Sequence, residues 1–230
     1  MTFIHSHTIN ASGPLMLRTA AIAMVVLLAS SAWAQMPGRC EVPVSERKGD
    51  IGCYVAEIKS LGQLPDVPLF WHLYVFQSRK AAEAAKAPRY SIIEAFGKIW
   101  LFSIAPNDWR SPAGERIAAV GPLPHSVDKN YTARYLEAVI PPGEHTPVHT
   151  HPGAEAWYLL AGAECLETPE GITLAHAGDS AVVREGLPMI LSSVGTETRN
   201  VFALVLHDST QPWTMVMRGD QWKPTGRCPK

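Results

Sequence analysis

From residue 116 onward the chain is a succession of short runs rich in β-branched, aromatic and alanine residues, each closed by a turn signal. No other feature restricts the fold as much. The candidate strands are Arg116–Val120, Tyr131–Ile140, Ala154–Ala161, Ala163–Glu167, Ser180–Val183, Met189–Val194 and Asn200–Leu206. Pro141-Pro-Gly143, Pro152-Gly153, Pro169-Glu-Gly171 and Ala177-Gly-Asp179 punctuate them. Many short strands at regular spacing predict an all-β sandwich or barrel rather than a parallel α/β fold.

The preceding residues follow a different pattern. Leu69–Phe76 is a continuous aromatic and β-branched run, the composition of a buried strand. Ser78–Ala87 is rich in helix formers, with Ser78 as N-cap and Pro88 as stop. Tyr90–Phe96 and Ile99–Ala105 flank Gly97-Lys98 and predict a hairpin. Residues 35–110 therefore read as an N-terminal α+β extension, 115–210 as the β-barrel and 211–230 as a C-terminal tail, with a boundary near Trp109–Gly114.

The first 34 residues read as a signal peptide: Arg18, an apolar run from Thr19 to Ala32, and the small-residue site Ala32-Trp33-Ala34. Cleavage after Ala34 predicts a secreted or periplasmic protein with no stable membrane anchor, because the run is shorter than the ~20 residues that span a bilayer. Cys40, Cys53, Cys165 and Cys228 remain, an even set that favours disulfides after export. Closeness in sequence favours Cys40 with Cys53, and the connectivity stays open. A formal net charge of -1 offers no basic face for phosphates, which argues against nucleic acid as a partner.

The chemistry is concentrated in Gly143-Glu-His-Thr-Pro-Val-His149-Thr-His151-Pro-Gly-Ala-Glu155-Ala-Trp-Tyr-Leu-Leu-Ala-Gly162. In an extended chain, residues two apart share a face, so His149 and His151 can aim both imidazoles at one point. Pro152-Gly153 turns the chain, and Glu155 can return a carboxylate to the same place. Two neutral imidazoles and a carboxylate suit a divalent Fe, Mn or Zn ion and leave coordination positions open. By parity Trp157 shares the face of Glu155 and reads first as core.

At these residues the chain resembles the cupin superfamily. The first cupin motif is G, five residues, H-x-H, three or four residues, E, six residues, G. Gly143, His149, His151, Glu155 and Gly162 occupy every fixed position. The resemblance covers about residues 115–210 and implies a double-stranded β-helix (jelly-roll) barrel, a metal held by His149, His151 and Glu155, and a small-molecule ligand or substrate. Homodimers are common in the family. The second motif departs from the pattern. Gly178 and Gly186 are kept, but Arg184, Met189 and Ser193 stand at the proline, histidine and asparagine positions. The fourth metal ligand that the histidine provides is therefore missing.

Several states stay open for such a site: three protein ligands, recruitment of His207 or His145, a metal-free site, or copper with Met189. Met189 reads as barrel core and His72 as a core histidine. Two functions follow from the resemblance. One is a metal-dependent enzyme of dioxygenase, isomerase or decarboxylase type. The other is a non-catalytic cupin of the cell envelope that binds a small molecule or metal.

Overall fold

A computed structural model describes residues 40–217 and 221–229. The expected signal peptide and cleavage after Ala34 fall outside the described residues.

The chain-order elements begin with β1 (Gly52–Gln63), β2 (Leu69–Phe76), α1 (Arg79–Ala84), β3 (Ser91–Ala95), β4 (Lys98–Pro106) and β5 (Glu115–Val120). β6 (Asn130–Ile140), β7 (His149–Thr150), β8 (Gly153–Ala161), β9 (Ala163–Thr168) and β10 (Gly171–His176) follow. β11 (Ser180–Val183), β12 (Ile190–Val194), β13 (Arg199–Asp208) and β14 (Met215–Val216) complete the set. The protein is all-β, of jelly-roll type. Among the described residues no helix is long and apolar enough to cross a membrane.

One wall of the barrel is the five-stranded sheet β1-β6-β13-β8-β11. The other is β10-β9-β12; β7, which pairs with β14, adjoins it through the backbone bridge His149–Met189, and the segment before β7 through His145–Ser192. Between these walls lies an apolar cluster that includes Val55, Leu136, Ile140, Trp157, Leu159, Leu191 and Val205.

The remaining sheet, β3-β4-β2-β5, covers the outer face of the five-stranded wall. Strand alternation explains how one wall serves two cores. On β13, Phe202, Leu204 and Leu206 join the outer cluster with Trp71, Trp100 and Phe102, while Val201 and Val205 join the barrel interior. Both faces of β13 are covered, so Val201–Leu206 carries no polar alternation.

Local expectations fare well in this block. β2 has the bounds read from its composition, and the β3–β4 hairpin turns through Phe96 (φ 51) and Gly97 (φ 70). Two consecutive positive φ values are what a two-residue primed turn requires. Ser78 caps α1 by accepting from Ala81 N at 3.2 Å. The helix ends at Ala84, before Pro88 is reached, as Lys86 adopts φ 46.

The expected division near residue 110 does not follow sheet membership. β1 belongs to the barrel wall through its pairing with β6, and β5 pairs with β2 in the covering sheet. β1 carries register shifts between Val55 and Glu57 and between Ser60 and Gly62. Such bulges break the period-2 pattern by which a strand is recognised.

Candidate metal centre

His149 lies in β7 and His151 follows directly, so extended backbone puts both rings on the same side of the chain. Glu155 returns from β8 after the Pro152-Gly153 turn. That turn needs glycine for space: a Cβ on Gly153 would sit 2.0 Å from the Leu206 carbonyl oxygen of β13. Gly162, the last fixed motif position, has φ +73, and its Cβ would meet Arg199 Cα at 2.9 Å. Gly153 and Gly162 thus allow β8 to lie close against β13 at both ends.

The structure brings the three expected residues together. One ligand atom from each of His149, His151 and Glu155 lies within 4.8 Å of the others. Glu155 Oε2 is 3.1 Å from His151 Nε2 and 3.9 Å from His149 Nε2. All three residues are buried.

The opposite ring nitrogens are tethered. His149 Nδ1 lies 2.8 Å from the Pro147 carbonyl and His151 Nδ1 2.6 Å from the Trp213 carbonyl. A carbonyl only accepts, so each Nδ1 carries a proton and donates, which leaves Nε2 facing the cluster: a lone pair while the ring is neutral, a donor to Glu155 once the ring is protonated. Trp213 also stacks on the His151 ring, with centroids 5.6 Å apart.

Three electron-pair donors facing one point repel unless a cation or protons lie among them. Glu155 Oε2 is buried and has no aligned hydrogen-bond donor despite its close imidazole neighbours. A polar atom left this way costs roughly 1–3 kcal/mol. Burial opposes ionisation of Glu155, but the two imidazoles outweigh it and hold the carboxyl well below the usual range. Burial likewise lowers the His151 pKa, and the Glu155 carboxylate with the Trp213 carbonyl outweigh it, so it is raised. Both directions ask for positive charge in one place. A divalent ion with bonds of about 2.0–2.2 Å to nitrogen and oxygen spaces its ligand atoms roughly 3.0–3.4 Å apart; the 3.1 Å pair lies in that range and the 3.9 Å pair would have to close by about half an ångström. The residues fit a metal.

Met189, at the second-motif histidine position, is bound to His149 through backbone hydrogen bonds of 2.9 and 3.1 Å. Its side chain is 1% exposed and belongs to the apolar cluster, not to the cavity lining. His207 and His145 stand outside the three-residue group. His72 is a core residue, its Nε2 3.0 Å from the Pro106 carbonyl.

The cluster opens on a cavity of about 70 Å³ inside the barrel. Trp157 lines it, as parity predicts. Three lining residues were not singled out from sequence, Glu164, Arg199 and Trp213; the Cys40–Cys53 disulfide, the pair that closeness in sequence favours, lines the cavity as well. The tail containing Trp213 is held by Cys165–Cys228 and by the β14 pairing with β7. Trp213 Nε1 donates to Glu41 at 2.8 Å, and Arg134 lies over its ring at 4.4 Å. Two disulfides are typical of a chain that folds in an oxidising compartment.

Fold and site together define a jelly-roll barrel with a buried His/His/carboxylate cluster in its interior. Residues 136–205 match the family model described as a cupin domain. No curated protein matches the chain.

Similar solved structures include oxalate decarboxylase from Bacillus subtilis, at 19% identity and a TM-score of 0.33, covering 40% of this chain and 25% of that one. A DMSP lyase from Ruegeria pomeroyi matches at 16% identity and a TM-score of 0.32, covering 36% of this chain and 42% of that one. A cupin-like protein from Thermotoga maritima matches at 14% identity and a TM-score of 0.35, covering 40% of this chain and 82% of that one.

Proposed function

We propose that the mature chain is an exported, metal-dependent cupin enzyme acting on a small molecule, with a divalent Fe, Mn or Zn ion held by His149, His151 and Glu155. The observation that carries this reading is the pair of backbone carbonyls that accept hydrogen bonds from the two Nδ1–H groups and so turn both Nε2 atoms toward Glu155. An ion bound there supplies Lewis acidity or oxygen activation, the chemistry of cupin dioxygenases, isomerases and decarboxylases. The chain's own residues orient the ligands, surround the cavity with a mostly apolar lining and stack Trp213 on the His151 ring. The leader-like N-terminus and the two disulfides support export to a secreted or periplasmic location.

A second reading, a non-catalytic binding cupin of the cell envelope, is favoured by Met189. Its side chain packs among apolar residues where an enzyme with the full second motif would present a histidine.

Elemental analysis of exported protein grown with Fe, Mn and Zn tests the metal. About one equivalent is expected in the wild type and under a tenth in His149→Ala. An empty wild-type protein would remove both the ion and the enzyme reading. Turnover lost with His149→Ala selects the enzyme; a ligand that raises Tm but is never converted selects the binder.

A further inference from the structure

The barrel cavity has a second polar feature that the metal cluster does not use. Glu164 on β9 and Arg199 at the start of β13 both line it. They are 1% and 3% exposed and form an ion pair between Arg199 Nη1 and Glu164 Oε2. Each keeps a further buried polar atom without a hydrogen-bond partner, Glu164 Oε1 and Arg199 Nε. On β13 the barrel-facing positions run Val205, Ala203, Val201, Arg199, and Val205 is paired with Glu155. The ion pair therefore stands at the far end of an apolar lining that begins at the metal cluster.

Stability gives no reason for this arrangement. Desolvating a buried ion pair costs as much as its attraction returns, and apolar residues of similar volume do as well or better. The chemistry of the unused atoms is specific, however: one N–H donor on a permanent cation, and one carboxyl oxygen able to accept or, when protonated, to donate. A carboxyl group complements both, since one oxygen accepts from the guanidinium and the other shares a proton with Glu164. Burial pushes Glu164 up to about 7 against the pull of Arg199, with the charge of Glu155 adding to the rise, so a shared proton is available near neutral pH. A cavity of about 70 Å³ holds roughly five waters, or a ligand of a few heavy atoms.

We propose that Glu164 and Arg199 anchor the carboxyl group of a short organic acid, of about two to four carbons, whose other end faces His149, His151 and Glu155. The orientation of that other end rests on the metal reading above; the anchor itself does not.

The test titrates the exported full chain with acetate, propanoate and butanoate against propanamide and propan-1-ol, by calorimetry or NMR shift. Wild type and His149→Ala are both used, so that a metal cannot supply the preference. Propanoate is expected to bind at least about tenfold more tightly than propanamide in both proteins. Arg199→Lys, which keeps the charge but removes the fork, and Glu164→Gln are each expected to erase most of that preference. Equal binding of acid and amide by the wild type overturns the anchor even if neither variant folds. So does a preference that survives both substitutions. A protein that discriminates acid from amide but carries no metal would remove the metal reading and leave the anchor standing.

Discussion

Removing Cys165–Cys228 by a double alanine substitution should cost more than any other crosslink change in the molecule and should be felt at the metal cluster. The bridge closes a separation of 63 residues, which corresponds to about 4 kcal/mol of denatured-state entropy, against about 3 kcal/mol for the 13-residue separation of Cys40–Cys53. For a domain of this size a loss of about 4 kcal/mol lowers Tm by roughly 8–16 °C.

The bridge also pins the tail that carries Trp213, whose carbonyl orients His151. Metal affinity should therefore fall by about 10–100-fold, the range seen when a ligand's supporting hydrogen bond is lost. Urea denaturation of the metal-free variant measures the stability change, and a competitive chelator titration measures the affinity. A loss under about 1 kcal/mol would refute the loop argument. Unchanged affinity in a destabilised variant would refute the coupling of tail to site.

Metal should stabilise the fold by mass action: about 2.7 kcal/mol is expected at 100 times Kd, seen as a Tm rise of roughly 5–11 °C that is absent in His149→Ala. Gly153→Ala should cost about 3 kcal/mol or more, because its Cβ would overlap the Leu206 carbonyl. Gly49→Ala, with nothing within 4 Å, should change stability by less than about 0.5 kcal/mol; equal denaturation midpoints for the two would contradict the packing argument. Glu164 is raised in the fold to about 7, so the native state holds a proton that the unfolded chain releases near the ordinary value of 4.5. Its contribution is complete below pH 4.5 and fades as pH rises to 7, on the order of 3 kcal/mol across that window. Glu164→Gln should flatten this slope in denaturation curves taken at successive pH values, and an unaltered slope would place the titration elsewhere.

Much of the barrel was legible because its strands are short, regular and separated by proline and glycine turns. Leu69–Phe76 and the hairpin about Gly97 were readable for the same local reason. β1 was not, since its bulges scramble the alternation that identifies a strand. The Cys40–Cys53 bridge follows from closeness in sequence.

At the site, the spacing of His149, His151 and Glu155 was sufficient, because extended geometry and one turn fix which way the three side chains face. Glu164 gave no such signal: it stands in a strand with Glu167 and reads as an ordinary half-exposed position.

The sequence alone determined an all-β barrel and the convergence of His149, His151 and Glu155, because strand period and turn chemistry are local properties. Only the tertiary structure decided that residues 52–120 supply a barrel strand and a covering sheet, that Trp213 orients His151 from 62 positions away, and that Glu164 meets Arg199 inside the cavity. These contacts join segments far apart in the chain, and no local pattern records which distant residue a folded wall will bring opposite.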